Sequence, residues 1–363
     1  MPELKLAAIA GANSKAEKPN GFTALYGLDP AAGRVQQIVT SEAAPSPSFL
    51  AWSEDRSMLY VASELEKGDG RVTGLSVNND TLIAGNHVAT GGNGAVHLCL
   101  DRQGQYLFAA NYQSDDASGP ISVAVFALKD DGSLGAMTSS AIHTGHGKSP
   151  SRQSRPHCHS VMISPDNRIL AAADLGTDSL YLYRFNGATG TISLATQLKL
   201  PPGTGPRHSV FHPSRPLLYL TGEMNSTLMT IAVYGAADDG SLIESIAATG
   251  WKPKSPRKPN YPSGIAISPD GHYVLAANRN ADLVTVYWVD PETGVAKRKH
   301  EVPCGGKFPR AIRFDPAARY LAVANQNSGD ISVFGWDFAE GVLTEKPLVK
   351  FAIPTPLDMV FVG

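Results

Sequence analysis

Two histidines, three arginines and one glutamate carry most of the polar chemistry this chain can do, and a regular spacing links them. Arg155-Pro-His157-Cys-His159-Ser160 sets two imidazoles two residues apart, which on a strand puts both on one face. Imidazole titrates near neutrality, so the pair suits acid–base work or polarisation of a carbonyl. Plain hydrogen-bonded histidines are the alternative, and a His-x-His pair without a third ligand argues poorly for a metal. Gly203-Thr-Gly-Pro-Arg207-His208-Ser209 follows in the next unit. Pro213 lies 48 positions after Pro165 and Arg207 lies 48 after His159, so Arg207 is expected beside His159 in the neighbouring unit. A guanidinium there clamps carboxylate or phosphate, or makes a structural salt bridge. Glu223 is a general base or the partner of Arg207. Arg279 holds the register of Glu223, and Arg310, after Pro309, holds the register of Arg207. These basic groups and one acid would together receive an anionic ligand. Asn111, at the aligned position of an earlier unit, is a further substrate-binding candidate with His157, His208 and Arg310.

What must position these residues is a repeat. Ser-Pro-Asp-Asn-Arg-Ile-Leu-Ala-Ala-Ala-Asp (164–174), Ser-Pro-Asp-Gly-His-Tyr-Val-Leu-Ala-Ala-Asn (268–278) and Asp-Pro-Ala-Ala-Arg-Tyr-Leu-Ala-Val-Ala-Asn (315–325) are one phrase, each followed by an alternating apolar strand. The aligned positions fall at Gly11, Ser63, Asn111, Asp174, Gly222, Asn278 and Asn325, giving spacings of 52, 48, 63, 48, 56 and 47. Seven strand-built units of this length predict a propeller. Turns such as Asp29-Pro-Ala-Ala-Gly33, Asn186-Gly-Ala-Thr-Gly190 and Asp290-Pro-Glu-Thr-Gly294 read as hairpin loops, so each unit is about four antiparallel strands. The strand Phe308-Pro-Arg-Ala-Ile-Arg-Phe314 has a counterpart 47 positions later at Thr355-Pro-Leu-Asp-Met-Val-Phe-Val362, and the chain starts in a second strand, Leu4–Ala10. The C-terminal strand is therefore expected to be the innermost strand of the first blade, closing the ring and hiding its edges. The expectation is an all-β, seven-bladed propeller over residues 1–363, in one domain.

Composition narrows the classes. A net charge of −2 points to no nucleic-acid or membrane partner. The first residues lack the apolar core of a signal peptide, and no run approaches a membrane span. Three cysteines, Cys99, Cys158 and Cys304, have no metal-type spacing and read as free thiols of a cytoplasmic protein.

Pro156-His-Cys-His-Ser160, Gly205-Pro-Arg-His208, Glu223-Met-Asn-Ser-Thr, Ala277-Asn-Arg279 and Pro309-Arg310, in that order, resemble the lactonase family of seven-bladed propellers. That family includes propeller-type 6-phosphogluconolactonases and 3-carboxy-cis,cis-muconate lactonizing enzymes. The resemblance spans essentially the whole chain. It implies a catalytic cluster of His159, Arg207, Glu223 and Arg279. Two departures stand out: Gly222 replaces the family's usual Asn before the Glu, and Lys252-Pro-Lys-Ser-Pro-Arg-Lys258 forms a basic insert that would adjust substrate choice.

The implied activity is hydrolysis of a sugar lactone, 6-phosphoglucono-1,5-lactone first, an anionic small molecule, by a monomer or weak homodimer. Arg207 and Arg279 would stabilise the oxyanion, His159 or Glu223 would move the proton, and Arg310 and His157 would hold the far end of the substrate. One alternative is a cycloisomerase closing a carboxymuconate-type dicarboxylate. Another is a non-catalytic scaffold, although Trp336-Asp337 is the chain's one Trp-Asp dipeptide. Glu223 and Asp174 do not make a calcium-holding ring, so neither metal nor other cofactor is expected.

Overall fold

The computed structural model describes residues 4–11, 21–53, 55–65, 70–113, 120–234, 239–253, 255 and 258–362, and they build seven antiparallel sheets. Blade five shows the common plan, running outward through Pro206–Phe211, Leu217–Gly222, Thr227–Tyr234 and Asp239–Ala247. The first strands of successive blades touch one another in a closed circle, which makes them the inner wall of a ring. Pro356–Phe361 pairs with Leu4–Ala10, Leu6 opposite Phe361, so the C-terminal strand lines the wall of blade one. Blade seven departs slightly: its outer strand is split into Val342–Leu343 and Val349–Ala352, both paired to Asp330–Asp337. Pro347, which has no N–H to give a ladder, lies in the break.

The core follows from this plan. Among the described residues seven buried apolar clusters are found, one at each junction between neighbouring blades. The second strand of each blade is covered on both faces, so Ile169–Asp174 is buried throughout and reads Ile-Leu-Ala-Ala-Ala-Asp. Small residues suit that strand because blades crowd near the axis. The outer strand Arg34–Ser41 is largely exposed and polar. The expected hairpin loops form, with Gly190 and Gly294 at φ of 67° and 74°. Asp238 and part of the basic insert (254, 256 and 257) lie outside the described residues.

Two devices repeat around one rim. The residue before the inner strand adopts left-handed backbone in four blades, Ser46, Gly205, Phe308 and Thr355, and Gly94 does so at the second position of the inner strand of blade three. Just inside, a β-bulge breaks the register of every inner strand, for example between Cys158 and Ser160, Pro206 and Ser209, and Pro309 and Ala311. A bulge adds residues without partners in the ladder and re-aims their side chains. The bulge positions are His159 in blade four, Arg207 with His208 in blade five, and Arg310 in blade seven.

The second device bears on one expectation. Asn111 is fully buried, and its Nδ2 donates to the carbonyls of Thr90 and Ile121 while its Oδ1 accepts from Thr90 Oγ1. Asn278 donates likewise to Ala248 O, and Asn325 to Cys304 O. Each Asn sits at or near the end of a second strand and grips the chain arriving from the preceding blade. Asp174 does the same in blade four by accepting from His143 Nδ1 at 2.7 Å. Asn111 is thus a blade-joining residue whose buried amide is spent on the fold, which gives no support to the substrate role expected of it. Blade one also aligns one residue earlier than the repeat suggests. Ala10 pairs with Pro356 as Gly222 pairs with Pro206, and Gly11 N–H donates to Thr355 O as Glu223 N–H donates to Gly205 O.

Candidate active site

The start of an inner strand and the end of a second strand lie at the same rim because the two are antiparallel neighbours. Arg207 follows Pro206 at the first position and Glu223 follows Gly222 at the second. In the next blade Arg279 N–H donates to Tyr261 O, the bond that Glu223 N–H makes to Gly205 O. Four residues spread from 159 to 279 therefore converge. Glu223 Oε2 lies 3.0 Å from Arg207 Nε and 2.7 Å from Arg279 Nη2. Its Oε1 accepts from Arg152 Nη2 at 2.6 Å.

The electrostatics follow from burial. Arg207 is 1% exposed, and burial, then the Arg279 charge, push its guanidinium below the ordinary value; the Glu223 carboxylate opposes this. Glu223 is itself buried, which alone would raise its pKa, but Arg279 and Arg207 outweigh that and hold it far below the usual carboxylate range. A carboxylate held so low is a weak base. Arg279 is further fixed by Nε donating to Tyr261 O at 3.0 Å, with its guanidinium over the Tyr261 and Phe308 rings at 5.5 and 5.4 Å. Phe308 takes φ of 62°, an unusual backbone for a bulky residue, and its N–H donates to Asp282 Oδ1.

His159 stands beside this cluster. Its burial, then the charge of Arg207, push the imidazole well below its ordinary value, against the pull of Glu223. The ring is neutral at pH 7, and Nδ1 has no hydrogen-bond partner among the described residues. The same holds for Arg207 Nη1. Buried polar atoms left without partners are rare and mark places where a ligand or water completes the set. One is an acceptor or donor on imidazole; the other is a cationic donor.

The remaining candidates surround the cluster. His157 precedes the strand and His159 occupies the bulge, so the simple two-residue alternation does not apply. Both rings nevertheless meet Tyr112, His157 stacked at 4.4 Å and His159 edge-on at 5.3 Å. His157 Nδ1 donates to Tyr112 O at 2.6 Å, which leaves Nε2 as its acceptor. His208 stands 5.3 Å from His159 and 5.0 Å from His97, with Phe49 beside it at 5.9 Å. Arg310 meets Gln326 Oε1 at 3.4 Å.

Several site residues escape sequence reasoning. Arg152 comes from the irregular stretch 140–158, which has no register in the repeat. Tyr112 follows Asn111, one place past the aligned position. Asp358 sits in the inner strand of blade one, accepts from Leu50 N–H at 3.0 Å and pairs with Arg313 at 3.3 Å. A charge at that inner-strand register, where blade two has Phe49, is the signal that could have found it. Gly222 also finds its explanation. A Cβ there would come within 2.4 Å of Asn225 Oδ1 and Thr227 Oγ1, side chains that fill the space used by Asn in other blades. Among the described residues no three His, Cys, Asp or Glu side chains are grouped to hold a metal ion, and no helix is long and apolar enough to cross a membrane.

Comparison with known proteins adds a family. The model of the family described as lactonase, 7-bladed beta-propeller, matches residues 9–361. A 6-phosphogluconolactonase of Bacillus subtilis is 30% identical over 253 residues, covering 69% of this chain and 68% of that protein. A solved protein of Lactobacillus plantarum superposes with a TM-score of 0.86 at 25% identity over the full length of both chains. The periplasmic gluconolactonase of Pseudomonas aeruginosa superposes at 0.84 with 27% identity, over 99% of each chain.

Proposed function

The chain belongs to the lactonase family of seven-bladed β-propellers, and on that footing we propose that it hydrolyses a sugar lactone, with 6-phosphoglucono-1,5-lactone as the first substrate to try. The observation that carries the reading is one rim holding a buried carboxylate clamped by arginines beside an imidazole and a guanidinium nitrogen without partners. Opening a lactone needs those parts: a donor for the developing oxyanion and a group to move one proton.

In this reading the substrate carbonyl oxygen takes the open Arg207 Nη1–H, and Arg279 adds positive charge. A water attacks C1, and neutral His159 accepts its proton. As the bond between C1 and the ring oxygen breaks, His159 returns that proton to the departing ring oxygen. The acid so formed loses its own proton to solvent. Glu223 stays a carboxylate throughout and keeps the two buried guanidiniums charged and in place. Of the two proton carriers open to sequence reasoning, Glu223 has both oxygens engaged by guanidiniums, whereas His159 Nδ1 is open, which favours His159. Arg310 and His157 Nε2 border the space for the distal end of the sugar, and His208 floors it.

Nothing specific favours cycloisomerisation or a scaffold role, and a scaffold has no use for a buried charge cluster. We place the protein in the cytoplasm as a monomer. Free Cys99, Cys158 and Cys304 suit a reducing compartment, and the exposed large apolar side chains, such as Ile83, Ile142 and Leu194, lie on different strands and loops. The test is turnover of freshly made phosphorylated and unphosphorylated gluconolactones, side by side, above the spontaneous rate.

A further inference from the structure

Three guanidiniums hold Glu223, and they are not equivalent. Arg207 and Arg279 are buried and share Oε2. Arg152 alone takes Oε1 among the contacts of the described residues, and its side chain is 40% exposed. Separating Glu223 from Arg207 or Arg279 would leave both partners buried and uncompensated and is costly, whereas Arg152 is the one partly exposed partner and recovers hydration when it departs.

The origin of Arg152 differs as well. It lies in the segment between the outer strand of blade three (Leu134–Ala141) and the inner strand of blade four (Cys158–Ile163), within the longest of the six repeat spacings. The backbone there is pinned by its neighbour. Gln153 is fully buried, its Nε2 donating to Leu175 O and Asp178 Oδ1 and its Oε1 accepting from Ser149 N–H. Gln153 N–H donates to Ser149 O, closing a tight turn around Arg152. A fixed backbone thus carries a long, partly exposed, permanently charged arm. The arm interacts with Tyr112 and ends on the Glu223 carboxylate.

We infer that Arg152 is a specificity-determining arm that leaves Glu223 Oε1 to grip a dianionic group on the substrate, so that the enzyme prefers a phosphorylated lactone to its neutral counterpart. The inference rests on the lactonase reading above. The planar fork of Arg suits phosphate bidentately, and losing such a charge-assisted contact costs roughly tenfold in binding. The two buried arginines keep Glu223 charged when the arm departs, so the reaction centre stays assembled.

The test compares the parent with Arg152→Gln and Arg152→Lys in two ways. Initial rates are measured on 6-phosphoglucono-1,5-lactone and glucono-1,5-lactone, and calorimetry measures binding of the stable acids 6-phosphogluconate and gluconate. For Arg152→Gln the expected result is a KM raised about tenfold for the phosphorylated lactone, and a ratio of kcat/KM between the two lactones that falls by the same factor. Arg152→Lys should restore part of the ratio, and 6-phosphogluconate should lose more affinity than gluconate. Equal losses on both substrates would make Arg152 a support for Glu223 and overturn the inference, as would an unchanged ratio. A parent that opens neither lactone would defeat the proposed reaction, while the binding ratio of the two acids would still decide the role of Arg152.

Discussion

Glu223 and Arg279 occupy the same backbone position in adjacent blades and pair across the junction at 2.7 Å. The repeat supplies the place and the substitution supplies the charge. Replacing Glu223 by Gln would leave Arg207 and Arg279 buried without their counter-charge. Urea unfolding of Glu223→Gln should show a loss of about 3–5 kcal/mol, together with a large fall in lactone opening. Unchanged stability would mean that the guanidiniums are neutralised by something other than this carboxylate.

His159 gives the activity its acid limb. Its imidazole is neutral at pH 7 and lies below the ordinary value, so kcat/KM should be flat through neutrality and fall only on the acid side of about 6.5. His159→Asn should lower kcat roughly 10²–10⁴-fold and abolish that limb. A pH profile of unchanged shape in the variant would remove His159 from the proton transfer.

Stability should follow pH in two windows. His97, His159 and His208 are all pushed well below ordinary imidazole, chiefly by burial. The unfolded chain takes up those protons near 6.5 and the folded chain does not, so stability is constant above that value and declines as pH falls below it. Glu223 acts lower. Its contribution is complete above about 4.5 and is lost as the pH falls further toward its depressed folded value. Thermal unfolding of the parent and of His208→Gln between pH 8 and pH 5 checks the first window: the variant should lose less stability than the parent on acidification.

Asn111 serves the fold. Asn111→Ala removes its hydrogen bonds to Thr90 and Ile121 from a buried junction and should cost about 1–3 kcal/mol. KM and kcat at a temperature where the variant is folded should match the parent. A specific rise in KM would return Asn111 to the substrate site.

Much of this was legible because a repeat carries its own coordinates. The interval of 48 residues that relates His159 to Arg207 is a statement about two bulges at one rim, and Pro206 and Pro309 mark that rim for Arg207 and Arg310. The bulges themselves were not legible, since hydrophobic alternation does not reveal one extra residue, and the shared strand face inferred for His157 and His159 fails for that reason. Blade one slipped by a residue because its strands come from opposite ends of the chain and it lacks the terminal Asn. Asn111 reads as a substrate-binding candidate because a polar residue near a strand end looks the same whether it binds substrate or the neighbouring blade. Arg152 was invisible because its contact with Glu223 spans 71 residues from a segment outside the repeat.

The most direct measurement is the rate of opening of fresh 6-phosphoglucono-1,5-lactone, above the spontaneous rate, by the parent and by Arg207→Ala. The account predicts clear catalysis by the parent and a loss of roughly 10²–10³-fold in kcat when the guanidinium that carries the open Nη1 is removed. A folded Arg207→Ala protein that opens the lactone as fast as the parent would contradict it.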